Sequence, residues 1–587
     1  MCGIFCLLNS NEQEPSFVNR QFDKCKSRGP EKSTLHYDKE MGIYLGFHRL
    51  AINGLDIISH QPMTIDNITL ICNGEIYNYK ELFKLMNIKP ETNSDCEIIL
   101  HLYKHYGIEQ TLQMLDGVFG FVIYDFRDVA NKKLYVARDP YGVRPIFKLT
   151  TTTGLIGFAS LLDNLSAWSE RNVSLGYKDA SYDEEYSLLE NIKSDNMSKS
   201  LEQFTPGTYS ILVTEGDKWK FSIENKSFSH SGFMRQPEYH TNSFNDHDFD
   251  DFNLQNYLNG IREYFTKAIK KRVENTDRKV ACLLSGGLDS SLVAALVNEY
   301  HDGELETYSI GLPGSEDLKY ARKVADYLGT NHNEIIVSEE EFFEAIPDVV
   351  AATETWDTTT IRASVGNYLI GKYISEHSDA KVIFNGDGSD ELSGGYMYFH
   401  QAPDVIEFDK ECRNLLSNIH YFDVLRSERC ISCHGLEART PFLDRAWVQY
   451  YLSIPEKVRF HKLKGLPEKF LIRKAFDNGI LPSEVLWRTK EAFSDGVSSL
   501  KKSWFEIIDE KVRLLNEFKT YEPYLKMLTP TPKTPEQMYY RYLFEKKYPG
   551  CGNVIPYYWM PKYVNATDSS ARTLTVFKEA IEKEIAE

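Results

Sequence analysis

Two stretches of this sequence carry residue types and spacings that chemistry would need. The first, Leu283 to Ser291 (LLSGGLDSS), passes abruptly from an apolar run into a loop of glycines and hydroxyls. Val280 to Leu284 has the pattern of a buried strand, while Leu292, Val293, Ala295 and Leu296 recur with the period of a packed helix. A loop joining strand to helix, with Gly286 and Gly287 permitting close backbone approach and free amides at the helix start, reads as a phosphate cradle. Asp289 within it would repel phosphate unless a cation, magnesium, lay between them. The second stretch is the opening Met1-Cys2-Gly3. Once Met1 is removed, Cys2 owns a thiol and an α-amino group of reference pKa about 7.7–8.0, so one residue supplies nucleophile and base.

Further polar groups complete the outline of an amidase. Arg49 suits an α-carboxylate, and Asp95, at the head of a helix carrying Ile98, Ile99 and Leu102, suits an α-ammonium. Asn73 and Gly74 follow the strand Thr69 to Cys72 in what reads as a turn, where a side-chain amide and a backbone N–H can face a developing oxyanion. In the second half, the strand Lys381 to Phe384 leads into NGDGSDE, which sets Asp387, Asp390 and Glu391 among glycines. Asp289 and Asp390 are expected to hold magnesium jointly, since that ion combines few carboxylates with phosphate oxygens.

The intervening elements must bring these groups together. Strand-like Leu305 to Leu312, helix-like Asp317 to Leu328 and strand-like His332 to Val337 alternate, which predicts a doubly wound parallel sheet binding ligands at the carboxyl ends of its strands. Gln203 to Val213, with its Pro206-Gly207 turn, reads as the last strand of a first domain spanning 1–213. Residues 214–251 read as an acidic linker, and 252–587 as a second domain. A net charge of −18 over 587 residues, with no long basic cluster, argues against nucleic acid and anionic membrane as partners. No apolar run reaches the roughly eighteen residues of a spanning helix, and the ten scattered cysteines read as reduced thiols, so a soluble cytoplasmic protein is expected. Cys430-Ile431-Ser432-Cys433-His434 matches a C-x-x-C-H pattern, but no second half of a metal site accompanies it.

Cys2-Gly3-Ile4, Arg28-Gly29-Pro30, His48-Arg49-Leu50, Asn73 to Asn78, and Arg138-Asp139 through Pro145 resemble the glutaminase domain of class II amidotransferases, among the N-terminal-nucleophile hydrolases. The resemblance covers about residues 1–210. It implies an α+β four-layer fold, Cys2 as nucleophile, Asn73 and Gly74 as oxyanion hole, and glutamine contacts from Arg49, Leu50, Ala51, Ile52, Asn53, Glu75 and Asp95. SGGLDSS, ETWDTTTIRAS, NGDGSDELSGGYMYFHQAP, GLEARTPFLD and WRTKEAFSDGV resemble the ATP pyrophosphatase domain of glutamine-dependent asparagine synthetases. That resemblance implies ATP contacts from Leu284, Ser285, Gly286, Gly287, Asp289, Ser290, Ile310, Asn385 and Gly386. It also implies aspartate contacts from Thr359, Thr360 and Arg362, with Lys490 at the reacting phosphates and Asp387 as a base toward ammonium. Asn385 and Asp387 depart from the Ser and Glu usual in near members of the family, which shortens the reach of the acid. The expected substrates are glutamine, aspartate and ATP; the oligomeric state is open, with a homodimer among the options. A β-lactam synthetase-like cyclase is the enzymatic rival, disfavoured by Cys2, and a degenerate nucleotide or amino-acid sensor the nonenzymatic one.

Overall fold

The computed structural model describes residues 1–169, 201–229, 251–490, 493–499 and 502–575. The first domain contains β1 (Gly3–Leu8), α1 (Pro15–Asp23), β2 (Lys32–Asp38), β3 (Ile43–Arg49), β4 (Met63–Ile65), β5 (Ile68–Ile76) and α2 (Glu97–Met114). It continues through β6 (Gly117–Asp125), β7 (Lys133–Arg138), β8 (Phe147–Thr150), β9 (Ile156–Ala159), β10 (Leu201–Gln203), β11 (Thr208–Glu215) and β12 (Lys218–Ser227). These strands form two six-stranded sheets, ordered β10-β8-β9-β1-β3-β2 and β12-β11-β7-β6-β5-β4.

Strand alternation explains the layering, because successive side chains take opposite faces. Ile4, Cys6 and Leu8 of β1 pack with Ile71, Val122 and Val136 of the other sheet in a shared core. Phe5 and Leu7 instead join Val18 and Phe22 of α1, while Leu70, Cys72 and Phe121 meet Ile98, Ile99 and Leu102 of α2. Helix, sheet, sheet and helix are therefore the four layers expected. The strand Gln203 to Val213 is not the last of the domain: β12 pairs antiparallel with β11 inside the stretch read as linker. The acidic segment Ser243 to Asp251 lies almost wholly outside the described residues.

The second domain is built on β13 (Val280–Leu283), β14 (Glu306–Gly311), β15 (Asn331–Ile336), β16 (Val382–Phe384) and β17 (Glu437–Arg439). All neighbours in the order β15-β14-β13-β16-β17 run parallel. α3 (Asp251–Val273), α4 (Leu288–Tyr300) and α5 (Glu316–Leu328) cover one face, through Phe265, Leu292 and Val324 against Cys282 and Phe384. α6 (Thr358–His377) covers the other, through Ile361, Val365 and Ile374 against Ala281, Ile310 and Ile383. α7 (Asp423–Ser432) packs beside α6 and leads toward β17.

The loop between β13 and α4 depends on close packing at one glycine. Gly286 has φ +73°, and a Cβ there would lie 2.4 Å from the Ala321 nitrogen of α5. Gly287 has φ −78°, and the nearest atom to its Cβ would be the Ser285 hydroxyl at 3.5 Å. Gly286→Ala is therefore expected to cost about 1–3 kcal/mol of stability from the left-handed backbone alone. Gly287→Ala should stay within about 0.5 kcal/mol. Thermal unfolding midpoints of the two variants check this ordering.

Candidate active site

The chain places two polar centres on either side of the domain interface. The first surrounds Cys2, whose thiol donates to the Leu50 carbonyl at 3.5 Å. Asn73 and Glu75 share the face of β5 that carries Ile71 into the inter-sheet core, the core against which Cys2 packs. Asn73 and Gly74 thus lie inside a strand, not in a turn. Nine consecutive pairs between β5 and β6, including Asn73 with Gly120 and Gly74 with Phe119, outweigh the hairpin tendency of Asn-Gly. The Asn73 Nδ2 group is buried without a hydrogen-bond partner, a free donor of the kind an oxyanion requires.

The residues expected to contact glutamine are held from several directions. Arg49 donates to the Asp56 carbonyl at 2.7 Å and to that of Gly54, which fixes its guanidinium. Leu50 and Ile52 pack into the second domain's core, the Ala51 carbonyl accepts from Arg278 at 2.7 Å, and Asn53 donates to Glu75 at 2.6 Å. Glu75 also meets Arg439 of β17 at 3.4 Å. Asp95 accepts the Ile76 N–H at 2.6 Å. Burial pushes the Cys2 thiol up to about 11, an effect opposed by the neighbouring α-amino group. That amino group, on Met1, donates to the Leu436 carbonyl at 3.0 Å, and burial lowers it to about 5.

The second centre is a cleft at the carboxyl ends of the parallel strands. Leu284, Ser285, Gly287, Asp289, Ser290, Ile310, Asn385 and Gly386 line it, together with Thr359, Asp387, Asp390 and Lys490. The loop is closed by the Ser285 and Ser290 hydroxyls, 3.0 Å apart, and α4 starts after Gly287 with no side-chain cap on its amides. Gly386 passes so close that a Cβ would lie 2.8 Å from the Ser290 nitrogen, which brings the two loops together. Gly286 does not line the cleft, because its backbone is turned against α5.

Charge in this cleft is paired across long sequence distances. Lys469 reaches both Asp289 and Asp390 at 2.6 Å, and Lys490 reaches Asp390 at 2.7 Å and Asp289 at 3.5 Å. Burial would raise the Asp390 carboxyl, but the two ammonium groups outweigh it and hold the group down to about 2. Two converging hard carboxylates suit magnesium whose other positions are filled by phosphate and water. Among the described residues no set of three or more His, Cys, Asp or Glu could hold a metal unaided. Asp387 accepts from Arg426 at 2.7 Å, and burial raises it to about 6 despite that partner. Asn385 donates to the Ser427 hydroxyl at 2.7 Å, so its longer side chain finds a partner on α7.

Two of the three expected aspartate contacts do not reach the cleft. On α6, Thr359, Ala363 and Asn367 form the lining face, as four-residue spacing dictates. Thr360 instead donates to Asp357 at the helix start, 2.7 Å away. Arg362 points to another side and is bound by Glu536 at 2.8 Å and Asp568 at 2.7 Å. Lys469, Asp423 and Arg426 are charged residues of this cleft that sequence reasoning missed, as it also missed the lining Asp317, Asn367 and Tyr396. Asp423 and Arg426 are common charged residues of α7, and Lys469 stands just before a short helix with φ +58°; partners far along the chain, not local pattern, bring Lys469 and Arg426 to the cleft.

A family model described as Glutamine amidotransferase domain matches residues 1–222, and one described as Asparagine synthase matches residues 260–413 and 406–520. The chain is 41% identical to a protein of Cricetulus griseus named Asparagine synthetase [glutamine-hydrolyzing], over 99% of this chain and 100% of that protein. Proteins of the same name from Homo sapiens and Gallus gallus are 41% and 42% identical over the same shares.

Asp95 offers a test of how the first centre is built. Burial raises its carboxyl from an ordinary 3.8 to about 6. A raised acid favours the folded state where it is protonated, and that contribution is lost as pH rises through about 6. Asp95→Asn should therefore raise the unfolding midpoint at pH 8, by about 2–3 kcal/mol of stability, with the gain shrinking toward pH 5. Its KM for glutamine should rise at least about tenfold. Midpoints at the two pH values and initial-rate kinetics read both effects.

Proposed function

The chain belongs to the family of glutamine-hydrolysing asparagine synthetases, and from that premise we propose how its residues divide the reaction. The enzyme makes asparagine, glutamate, AMP and pyrophosphate from aspartate, glutamine and ATP. In the first centre Arg49 takes the glutamine α-carboxylate, and Glu75 and Asp95 take its ammonium. With Met1 removed, the α-amino group of Cys2 accepts the thiol proton as sulfur attacks the amide carbon. Asn73 Nδ2 and the Gly74 N–H receive the oxyanion, ammonia leaves, and water releases glutamate from the thioester. The buried, unpartnered Asn73 donor supports this assignment.

In the cleft, the phosphates of ATP lie over the Ser285–Ser290 loop, with Lys469 and Lys490 beside them. The β-carboxylate of aspartate attacks the α-phosphorus, pyrophosphate departs, and the two lysines stabilise the negative charge that moves onto it. Asp289 and Asp390 would hold magnesium, which screens phosphate charge when bound. Thr359 contacts aspartate, while Thr360 and Arg362 keep the structural contacts described above. Ammonia then attacks the acyl carbon, Asp387 takes its proton, and AMP leaves.

The observation that carries the combined reading is Arg439. Its side chain meets Glu75 at 3.4 Å, and its carbonyl accepts the Asn385 N–H at 3.1 Å. One residue touches both centres, which supports passage of ammonia within the protein, away from water that would protonate it. Ten cysteines, none of them in a disulfide, support a reducing, cytoplasmic setting. Homodimer formation belongs to the same proposal and is read by sedimentation.

Cys2→Ala is expected to abolish asparagine formation from glutamine while leaving formation from ammonium within about threefold. Lys490→Ala should lower both by about 10²-fold. Product analysis with amide-labelled glutamine or with ammonium separates these outcomes. Undiminished glutamine-dependent synthesis by Cys2→Ala would remove Cys2 from its role.

A further inference from the structure

The first domain holds a buried cation that the reaction scheme above does not use. Arg28 is 1% exposed, and its guanidinium is divided between two destinations. Its Nε donates to the backbone carbonyl of Cys2 at 3.0 Å. Its Nη1 donates to Glu428 at 3.1 Å and to the Ser432 hydroxyl at 2.9 Å, and its Nη2 donates to the other Glu428 oxygen. Glu428 and Ser432, 2% and 1% exposed, are one turn apart on α7, so one face of that helix receives the fork. The same helix places Asp423 and Arg426 in the lining of the adenylation cleft.

We propose that Glu428 is a positioning residue for the Cys2 nucleophile, acting through Arg28. A planar guanidinium held by two parallel hydrogen bonds has a fixed direction, and its remaining donor then fixes what it points at. Here that is the carbonyl of the nucleophilic residue itself, immediately before β1. Burial works against both charges, yet the pairing outweighs it: Glu428 is held below the ordinary carboxylate range and Arg28 above its usual value. Both stay charged throughout the working pH range, so the hold on Cys2 does not relax. A domain-docking salt bridge would need no bond to Cys2, and the third donor is what distinguishes the two roles.

The inference rests on Cys2 being the nucleophile, which the Cys2→Ala variant tests separately. Glutaminase kinetics and ammonium-dependent synthesis are measured on Glu428→Gln, Ser432→Ala, Arg28→Lys and the double variant Arg28→Lys/Glu428→Gln. Glu428→Gln should lower kcat for glutamine hydrolysis by about 10²-fold, the size of effect a misplacement near 1 Å produces. KM for glutamine and the ammonium-dependent rate should stay within about threefold, because neither depends on the direction of the thiol. Ser432→Ala, which removes one neutral acceptor, should shift the ratio of the two activities the same way by a smaller factor. In the Arg28→Lys background the effect of Glu428→Gln should largely vanish, since both act through one contact. Equal loss of both activities, an unchanged ratio in both Glu428→Gln and Ser432→Ala, or additive effects in the double variant would each overturn the proposal. Retained glutaminase activity in Cys2→Ala would instead overturn the reading of the first centre.

Discussion

Buried ion pairs across the domain interface are the constraint on which the rest of the structure depends. Arg28 meets Glu428, Arg144 meets Glu437 and Arg439 meets Glu75 across it, and Arg429 meets Glu354 within the second domain, all in the protein interior. Glu354 also accepts the N–H groups of Leu162 and Asp163 at 3.0 and 2.9 Å, so a carboxylate of one domain closes a turn of the other. Such groups tolerate burial only when each finds its partner, and removing one partner of a buried pair costs about 3–5 kcal/mol. The pairs therefore admit one docking arrangement and penalise others. That arrangement sets β17 between the two centres.

The cleft at the carboxyl ends of the parallel strands follows the same logic. Two carboxylates and two lysines neutralise one another in the described structure, around the place proposed for the phosphates. Charge already in place needs no reorganisation when negative charge moves onto the leaving pyrophosphate. Close packing sets the geometry: Gly286 against α5 and Gly386 against the start of α4 leave no room for a side chain, so any larger residue at either place would push the loop away from its neighbour.

Local pattern revealed the elements; partners far along the chain decided the exceptions. The apolar runs of β13, β14 and β16 and the one-sided pattern of α5 stand in the sequence at nearly their observed bounds, as do the glycine loop and the acidic loop that face each other. β12 was hidden because Lys218, Lys220 and Lys226 give it a polar, partly exposed character, and its pairing with β11 is visible only in three dimensions. Asn73-Gly74 carried a turn signal that a nine-pair ladder with β6 overrode. Thr360 and Arg362 lie in the same motif as Thr359, but a helix turns successive residues to different sides. Lys469 is buried at 2% exposure with carboxylates that precede it by many residues, and nothing local to Pro467-Glu468-Lys469-Phe470 marks it.

The central claim is that one docked interface joins the two centres closely enough for ammonia to pass without meeting bulk water. The most direct measurement is isotope dilution: purified enzyme turns over amide-¹⁵N glutamine, aspartate, ATP and magnesium in the presence of unlabelled ammonium below the concentration at which ammonium alone supports synthesis. Asparagine that keeps the ¹⁵N content of the glutamine amide is the predicted result. Asparagine whose label falls in step with the mixed ammonium pool would contradict the account.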